Sequence, residues 1–515
     1  MLNEKNLEMS DISLSKFSNV YMRVSADEGI LKEIYDHFSV YAKDYRYSPK
    51  FKNHIWDGKI NFFKGRQRLL GTGLLDELLK FADACSYSVS MTDELKESLQ
   101  DTSVTKDGFL TELSDLDLSA YGEKIQLRDY QMLGIYSALR NKRRVFVSNT
   151  SSGKSAIIYG ITRLILPRLE GKVLIIVPTT NLVEQMYADF VDYSSDDSGW
   201  DVSDNCSRLY SSYEYDGKNP VLISTWQSLQ KKPADFFEQF SCVVVDESHS
   251  AKAAVLSKIL GFCINADYRF GFTGTLPKDR CEEYSVLSML GKRQTLSTTK
   301  DAIERGYVSK LKIYATLLRH ELTRDLRNMS YMDEIDYLCT LEERTDFICA
   351  LANSLPGNTI ILTARVDTHG KVIYDKLCAD PNGKEIFQIF GDVKVKDREC
   401  IRQTMEEKSN CITVGNFQCI QQGWSVRNLD NLIFAFPSKS SIRVIQSIGR
   451  ILRKSEGKET ATLYDIGDAF VKRGNPVESA KNHTFNHFKE RLGIYSEEGH
   501  DYEIAEFNIS NYNFF

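Results

Sequence analysis

The sequence predicts an α/β protein: two parallel-sheet domains of similar size, preceded by a small α+β domain. Three observations point there. The chain has 515 residues, more than one domain usually holds at ~100–200 residues each. From residue 145 onward, short β-branched runs alternate with longer amphipathic segments, the pattern of strands joined by crossover helices. That series ends and a second begins after Glu304-Arg305-Gly306-Tyr307.

The first series contains the strand candidates Val145–Ser148, Val173–Val177, Val221–Ser224, Cys242–Val245 and Arg269–Thr273. The second contains Thr359–Leu362, Ile386–Phe390, Cys411–Val414, Leu432–Ala435 and Thr462–Tyr464. Residues 191–220 are rich in Ser, Asp and Tyr and read as a surface loop or hairpin. The expected boundaries are 1–100 for the small domain, 101–122 for a linker, 123–300 and 301–475 for the two α/β domains, and 476–515 for a helical tail.

Charge separates the small domain from its linker. Residues 41–68 carry eight Lys or Arg against two Asp, with seven aromatics interleaved. Residues 92–123 carry nine Asp or Glu against two Lys. The net charge of −6 therefore conceals a basic module followed by an acidic tether. Lys50, Lys52, Lys59, Lys64, Arg66 and Arg68 suit phosphate contacts, with Lys50, Lys52 and Lys59 the first candidates for a nucleic-acid backbone. Tyr45, Tyr47, Phe51 and Trp56 read mainly as core, because a domain this small needs its aromatics inside.

Eleven cysteines form no CxxC pair and read as reduced core thiols. His483 and His487 have helical ligand spacing, yet no second pair completes a metal site. No apolar run approaches the ~20 residues of a membrane helix, and the polar N-terminus is no signal peptide. The expected location is cytoplasmic.

Chemistry concentrates at two places in the first series. Ser148-Asn149-Thr150-Ser151-Ser152-Gly153-Lys154-Ser155 follows the strand RVFV and precedes the helical run AIIYGITRLIL. A tight loop at a helix N-terminus presents backbone N–H groups and a favourable dipole to phosphate. Lys154 is placed to reach the β- and γ-phosphates, and the Ser155 hydroxyl to bind Mg²⁺. Ser148 stands where the usual pattern has Gly. About ninety residues on, the strand Val243-Val244-Val245 ends in Asp246-Glu247-Ser248-His249. Asp246 suits Mg²⁺ and Glu247 the polarisation of an attacking water.

Residues 120–470 resemble the superfamily 2 helicases of the DExH type, a resemblance carried by several motifs in the family's order. Leu127-Arg128-Asp129-Tyr130-Gln131 looks like the adenine-reading element, with Arg128 and Gln131 on the nucleotide. Thr150, Ser151, Ser152, Gly153, Lys154 and Ser155 match the phosphate loop. Pro178-Thr179-Thr180 and Thr225-Trp226-Gln227-Ser228-Leu229 resemble the elements that touch the nucleic-acid strand, implicating Pro178, Thr179, Thr225 and Gln227. Asp246 to His249 matches motif II, and Thr273-Gly274-Thr275 is similar to motif III. Gln446-Ser447-Ile448-Gly449-Arg450-Ile451-Leu452-Arg453 resembles motif VI, whose Gln446, Arg450 and Arg453 share one helical face and suit phosphate recognition. Gln421-Gln422-Gly423-Trp424-Ser425 stands where the family has Thr-x-Gly-x-Asp. Gly423 matches, Gln422 and Ser425 depart, and Trp424 reads as core.

Within that superfamily the chain resembles the phage UvsW helicases, through Asn53-His54-Ile55-Trp56-Asp57-Gly58-Lys59-Ile60 and Leu69-Leu70-Gly71-Thr72-Gly73-Leu74 in the small domain and onward past motif VI. The resemblance implies two RecA-like domains and ATP held between them with Mg²⁺, Lys154 and Ser155 on one wall and Arg450 and Arg453 on the other. It implies 3′-to-5′ translocation, with unwinding or branch migration of DNA at forks, junctions and R-loops. It also implies DNA, recombination proteins or single-strand-binding proteins as partners, a monomer, and the host cytoplasm for a phage-encoded chain. Two other readings stand beside it: an RNA-dependent ATPase of the same superfamily, and a nucleotide-gated annealing protein that does not translocate. A small-molecule kinase would not need the second α/β domain.

Overall fold

The computed structural model describes residues 10–509 except 121, 150, 151, 198, 212, 249–252, 275, 277, 278, 323–328, 364, 392, 418–425, 437–443, 445, 446, 450, 453–457 and 473. The chain divides into two compact units, Met1–Ser148 with Gly153–Ser297, and Asn149–Ser152 with Thr298–Phe515.

The first unit begins with a small mixed sheet of five strands, in the order Phe63–Lys64, Leu69–Gly71, Tyr21–Ala26, Ile12–Lys16 and Val89–Met91. Only the last pairing is parallel. The helices Glu28–His37 and Leu75–Ala84 cover it with Leu31, Ile34, Leu75, Leu78 and Ala82. The larger sheet has seven strands, all parallel, in the order Cys206–Leu209, Val221–Thr225, Lys172–Val177, Phe240–Val245, Tyr268–Thr273, Arg143–Ser148 and Arg293–Ser297. Its central strands are buried along almost their whole length, as a parallel sheet covered on both faces requires.

Gly71 and Gly73 show how the small sheet docks on the larger domain. A Cβ on Gly71 would lie 2.7 Å from the Ser288 carbonyl oxygen, and one on Gly73 would lie 1.8 Å from that of Leu287. Both carbonyls belong to the helix Arg280–Leu290. The chain thus approaches that helix backbone to backbone, which only glycine permits. Tyr284 of the same helix meets the rings of Phe38 and Phe62, and Lys43 pairs with Glu282 at 3.2 Å.

The stretch 101–122, expected as a linker, does not behave as a free tether. It forms the helix Lys106–Ser114, capped by Thr105, and Val104, Phe109 and Leu118 are buried with Ile135, Leu139 and Ile157. Its acidic residues face outward while every few positions an apolar residue returns to the core. Residues 191–220 hold a short parallel edge strand, Cys206–Leu209, rather than only a loop.

The second unit carries another seven-stranded parallel sheet. Its order is Glu385–Ile389, Cys411–Asn416, Thr359–Thr363, Asn431–Phe434, Thr460–Lys472, Lys310–Leu322 and Tyr502–Asn508. Helix starts in this unit use side-chain caps: Ser330 and Asp333 form a reciprocal capping box at Tyr331–Thr340, and Thr298 and Asp301 do so at Thr299–Glu304.

Two buried ion pairs pin helices to the strand Thr460–Lys472. Arg344 of the helix Glu342–Ser354 contacts Asp468 at 2.9 Å, and Arg491 of the helix His483–Glu497 contacts Asp465 at 2.7 Å. Tyr495 donates a further bond to Asp465. The expected helical tail 476–515 is therefore corrected. Its helix is fixed to the sheet by buried charge, and the following residues form the edge strand Tyr502–Asn508 beside Ile313–Arg319. No described helix is long and apolar enough to cross a membrane.

Candidate active site

The phosphate loop leaves the strand Arg143–Ser148, and the helix Lys154–Ile165 begins at Lys154. The Ser152 N–H donates to the Asn149 carbonyl at 3.2 Å. Gly153 caps the helix at φ +71, a left-handed conformation that glycine adopts freely. A Cβ there would also lie 2.5 Å from Gln131 Nε2. Gln131 in turn accepts a bond from the Arg128 N–H at 2.8 Å through Oε1, while Arg128 donates to the Tyr130 hydroxyl. The expected adenine-reading residues thus sit directly against the phosphate loop.

The carboxylates arrive from the neighbouring part of the sheet. Asp246 N–H donates to the Ile176 carbonyl (2.9 Å), and Ser248 N–H to that of Phe272 (3.0 Å). These bonds hold the loop after Phe240–Val245 between two adjacent strands. Glu247 lies between them at φ +47, a costly conformation for a non-glycine residue and one that recurs where a side chain must be aimed. Its Oε1 stands 3.8 Å from Lys154 Nζ.

Burial first, and Glu247 second, push the Asp246 carboxyl up to about 7, against the opposing pull of Lys154. Asp189 adds to the negative field. Two adjacent carboxylates share one lysine, so ionisation of both leaves an excess of negative charge that a bound cation would offset. That donor set fits a hard divalent cation such as Mg²⁺. The Ser155 hydroxyl, expected on the metal, is bonded to the Tyr193 hydroxyl at 2.9 Å. Tyr193 carries no motif signature, and its approach comes from the packing of Thr180–Tyr193 against Lys154–Ile165.

The expected strand-contacting residues meet in part. Gln227 Nε2 donates to the Pro178 carbonyl at 3.1 Å, joining the two loops. Thr179 caps Thr180–Tyr193. Thr225 is buried and caps Trp226–Leu229, so its hydroxyl is already committed within the fold.

In the small domain Lys50 and Lys52 are exposed, and neither has an ion pair among the described residues. Lys59 Nζ lies over the Tyr41 ring. Tyr45 stacks on Tyr41 and meets Phe51 edge-on, and Trp56 Nε1 donates to the Lys59 carbonyl. Tyr47 departs from the expected core position: it is 76% exposed. The turn Tyr45–Tyr47 follows Asp44 in a left-handed conformation and carries Tyr47 away from the local aromatic cluster.

Thr150, Ser151, His249, Thr275, Gln421–Ser425 with Gly423, Gln446, Arg450 and Arg453 lie outside the described residues.

Comparison with known proteins gives two family matches. The family described as "DNA helicase UvsW, N-terminal" matches residues 10–92, and "Type III restriction enzyme, res subunit" matches residues 124–278. The ATP-dependent DNA helicase uvsW of Enterobacteria phage T4 is 30% identical over 511 residues, covering 97% of this chain and 100% of that protein. The DNA 3'-5' translocase XPB2 of Sulfurisphaera tokodaii is 24% identical over 48% of this chain and 50% of its own length. The crystal structure of T4 UvsW aligns with a TM-score of 0.52 at 28% identity, covering 97% of this chain and all of that one. The two seven-stranded parallel sheets are thus of the RecA-like helicase kind.

Proposed function

As a member of the UvsW family of DNA helicases, the chain is an ATP-dependent DNA helicase, and we propose that it hydrolyses ATP at Lys154, Asp246 and Glu247 to unwind or branch-migrate forks and junctions. The observation that carries this assignment is the approach of Glu247 to Lys154, 3.8 Å apart, one just after the strand Phe240–Val245 and the other at the start of the helix Lys154–Ile165. Lys154 and the Gly153 backbone bind the phosphates, and Arg128 and Gln131 orient the base. Glu247 aligns the attacking water and accepts its proton. Asp246 and Ser155 would hold Mg²⁺, which would supply charge neutralisation at the phosphates. The hydroxyl bond between Ser155 and Tyr193 ties the proposed cation position to the helix Thr180–Tyr193.

Gln446, Arg450, Arg453, His249, Gly423, Thr150 and Ser151 keep the roles that their motifs imply. Pro178, Thr179 and Gln227 supply strand contacts largely through loop backbone and the Gln227 amide. Lys50, Lys52 and Lys59 supply backbone contacts from the small domain. The proposed domains are 1–100, 123–300 and 301–475, the last completed by the helix His483–Glu497 and the strand Tyr502–Asn508 on its sheet, and the proposed location is the cytoplasm of the host.

The testing experiment compares ATP hydrolysis with single-stranded DNA, branched DNA and RNA. Wild type is expected to respond most to branched DNA. Lys154→Ala and Glu247→Gln are expected to lose ~100-fold or more of the stimulated rate, the scale of a lost positioned acid–base group, with unchanged far-ultraviolet circular dichroism. Stimulation by RNA alone would shift the substrate, and full activity in either variant would remove the site.

A further inference from the structure

Two arginines on adjacent strands of the first large sheet are almost fully enclosed, and their surroundings differ. Arg269 sends Nε to the Ala266 carbonyl, Nη1 to those of Leu260 and Met289, and Nη2 to that of Cys263. Every nitrogen is satisfied, which is how a structural buried arginine behaves. Arg143 is 3% exposed and sends only Nη2 to a partner, the Asn19 carbonyl. Its Nε and Nη1 have none.

Opposite, on the small domain, the Thr72 hydroxyl is also buried without a partner. Arg143 and Thr72 line one cavity of about 220 Å³, together with Arg144, Lys292 and Asp76. Lys292 and Asp76 pair with each other. Arg144 donates to the Arg143 carbonyl at 2.7 Å. Three cations thus face one carboxylate. Burial first, and Arg269 second, lower the Arg143 guanidinium to about 9, so it stays charged at neutral pH. The one carboxylate that offsets this effect, Asp267, is engaged with Lys142 at 3.2 Å.

We propose that this cavity is an anion site that takes one phosphoryl group on Arg143 Nε and Nη1 and the Thr72 hydroxyl, with Arg144 and Lys292 supplying charge. The donors form the set that a tetrahedral oxyanion needs, a planar guanidinium fork and a hydroxyl. The volume falls below the ~300 Å³ at which pockets for drug-sized ligands begin, so a single phosphate fits this site better than a whole nucleotide. Arg143 belongs to the large sheet and Thr72 to the glycine-rich segment that docks the small domain. An anion held by both fastens the two together.

The test uses the full-length chain with Lys154→Ala, which silences the phosphate loop. Inorganic phosphate is titrated at constant ionic strength, with calorimetry and melting temperature as readouts. One saturable site is expected, with a concentration-dependent rise in melting temperature. Adding Arg143→Met should weaken it at least tenfold; the melting temperature in chloride should not fall, because a buried unpaired charge is replaced by an apolar side chain of similar reach. Thr72→Val and the exposed-side pair Arg144→Gln/Lys292→Gln provide independent variants if Arg143→Met folds poorly, and each should weaken phosphate at least threefold.

Competition between phosphate and single-stranded DNA that disappears with Arg143→Met would identify a DNA backbone phosphate as the source. Phosphate binding without such competition would identify a free anion. No saturable phosphate site in the Lys154→Ala chain, or a site indifferent to all these variants, overturns the proposal and leaves water as the partner of Arg143.

Discussion

Asp246 is the residue whose chemistry the fold alters most. Its carboxyl is raised to about 7 from an ordinary value of 3.8. The folded site therefore binds this proton more tightly than the unfolded chain does. The stability from this group is complete below pH 4 and is lost as pH rises through 7, at no more than ~1.4 kcal/mol per pH unit. Asp246→Asn should flatten that part of the stability profile, measured by denaturant unfolding between pH 5 and 8. In wild type, Mg²⁺ must displace the proton, so its binding should strengthen as pH rises toward 7 and level off above. The residues of this site were legible in the sequence where a motif is local: Lys154 follows its loop, and Asp246 and Glu247 end their strand. The contact of Ser155 with Tyr193, 38 positions away, was not. Nor was the solitary burial of Arg143, since both depend on which helices and strands the fold brings together.

At the scale of elements, central strands were legible because burial on both faces demands continuous apolar runs. Val173–Val177 and Cys242–Val245 needed only an extra residue or two at their starts. The edge strands Cys206–Leu209, Arg293–Ser297 and Tyr502–Asn508 escaped, because one side meets solvent and polar residues interrupt the pattern. The strand Lys310–Leu322 escaped for a related reason, with Lys310, Lys312, Arg319, His320 and Glu321 set among its apolar residues. Buried charge then does what periodicity cannot announce. Asp465→Ala would leave Arg491 enclosed without a counterion, so a loss of ~3–5 kcal/mol is expected in denaturant unfolding. The glycine-rich docking segment makes a sharper case. Gly73→Ala forces a methyl into the Leu287 carbonyl, with an expected cost of ~1–3 kcal/mol. Faster hydrogen exchange in Arg280–Leu290 is the measurement that checks it.

At the scale of the molecule, the net charge of −6 coexists with a DNA-helicase assignment because charge is distributed by module. The small domain that carries these cations is docked on the helix Arg280–Leu290 by the glycine contacts, so it is built as part of the motor half rather than as a tethered appendage. Neutralising Lys50, Lys52 and Lys59 together should weaken DNA binding and reduce the slope of log affinity against log salt by about 2–3, measured by fluorescence anisotropy over a salt series. ATP hydrolysis without DNA should not change. Strand separation or branch migration of DNA is proposed to be driven by hydrolysis at Lys154, Asp246 and Glu247. Strand displacement from a synthetic replication fork, with wild type and Glu247→Gln side by side, tests it most directly. Wild type is expected to displace the strand only with hydrolysable ATP, and Glu247→Gln to bind the fork equally well without displacing it. Displacement by Glu247→Gln at the wild-type rate, or none by wild type with ATP, would contradict it.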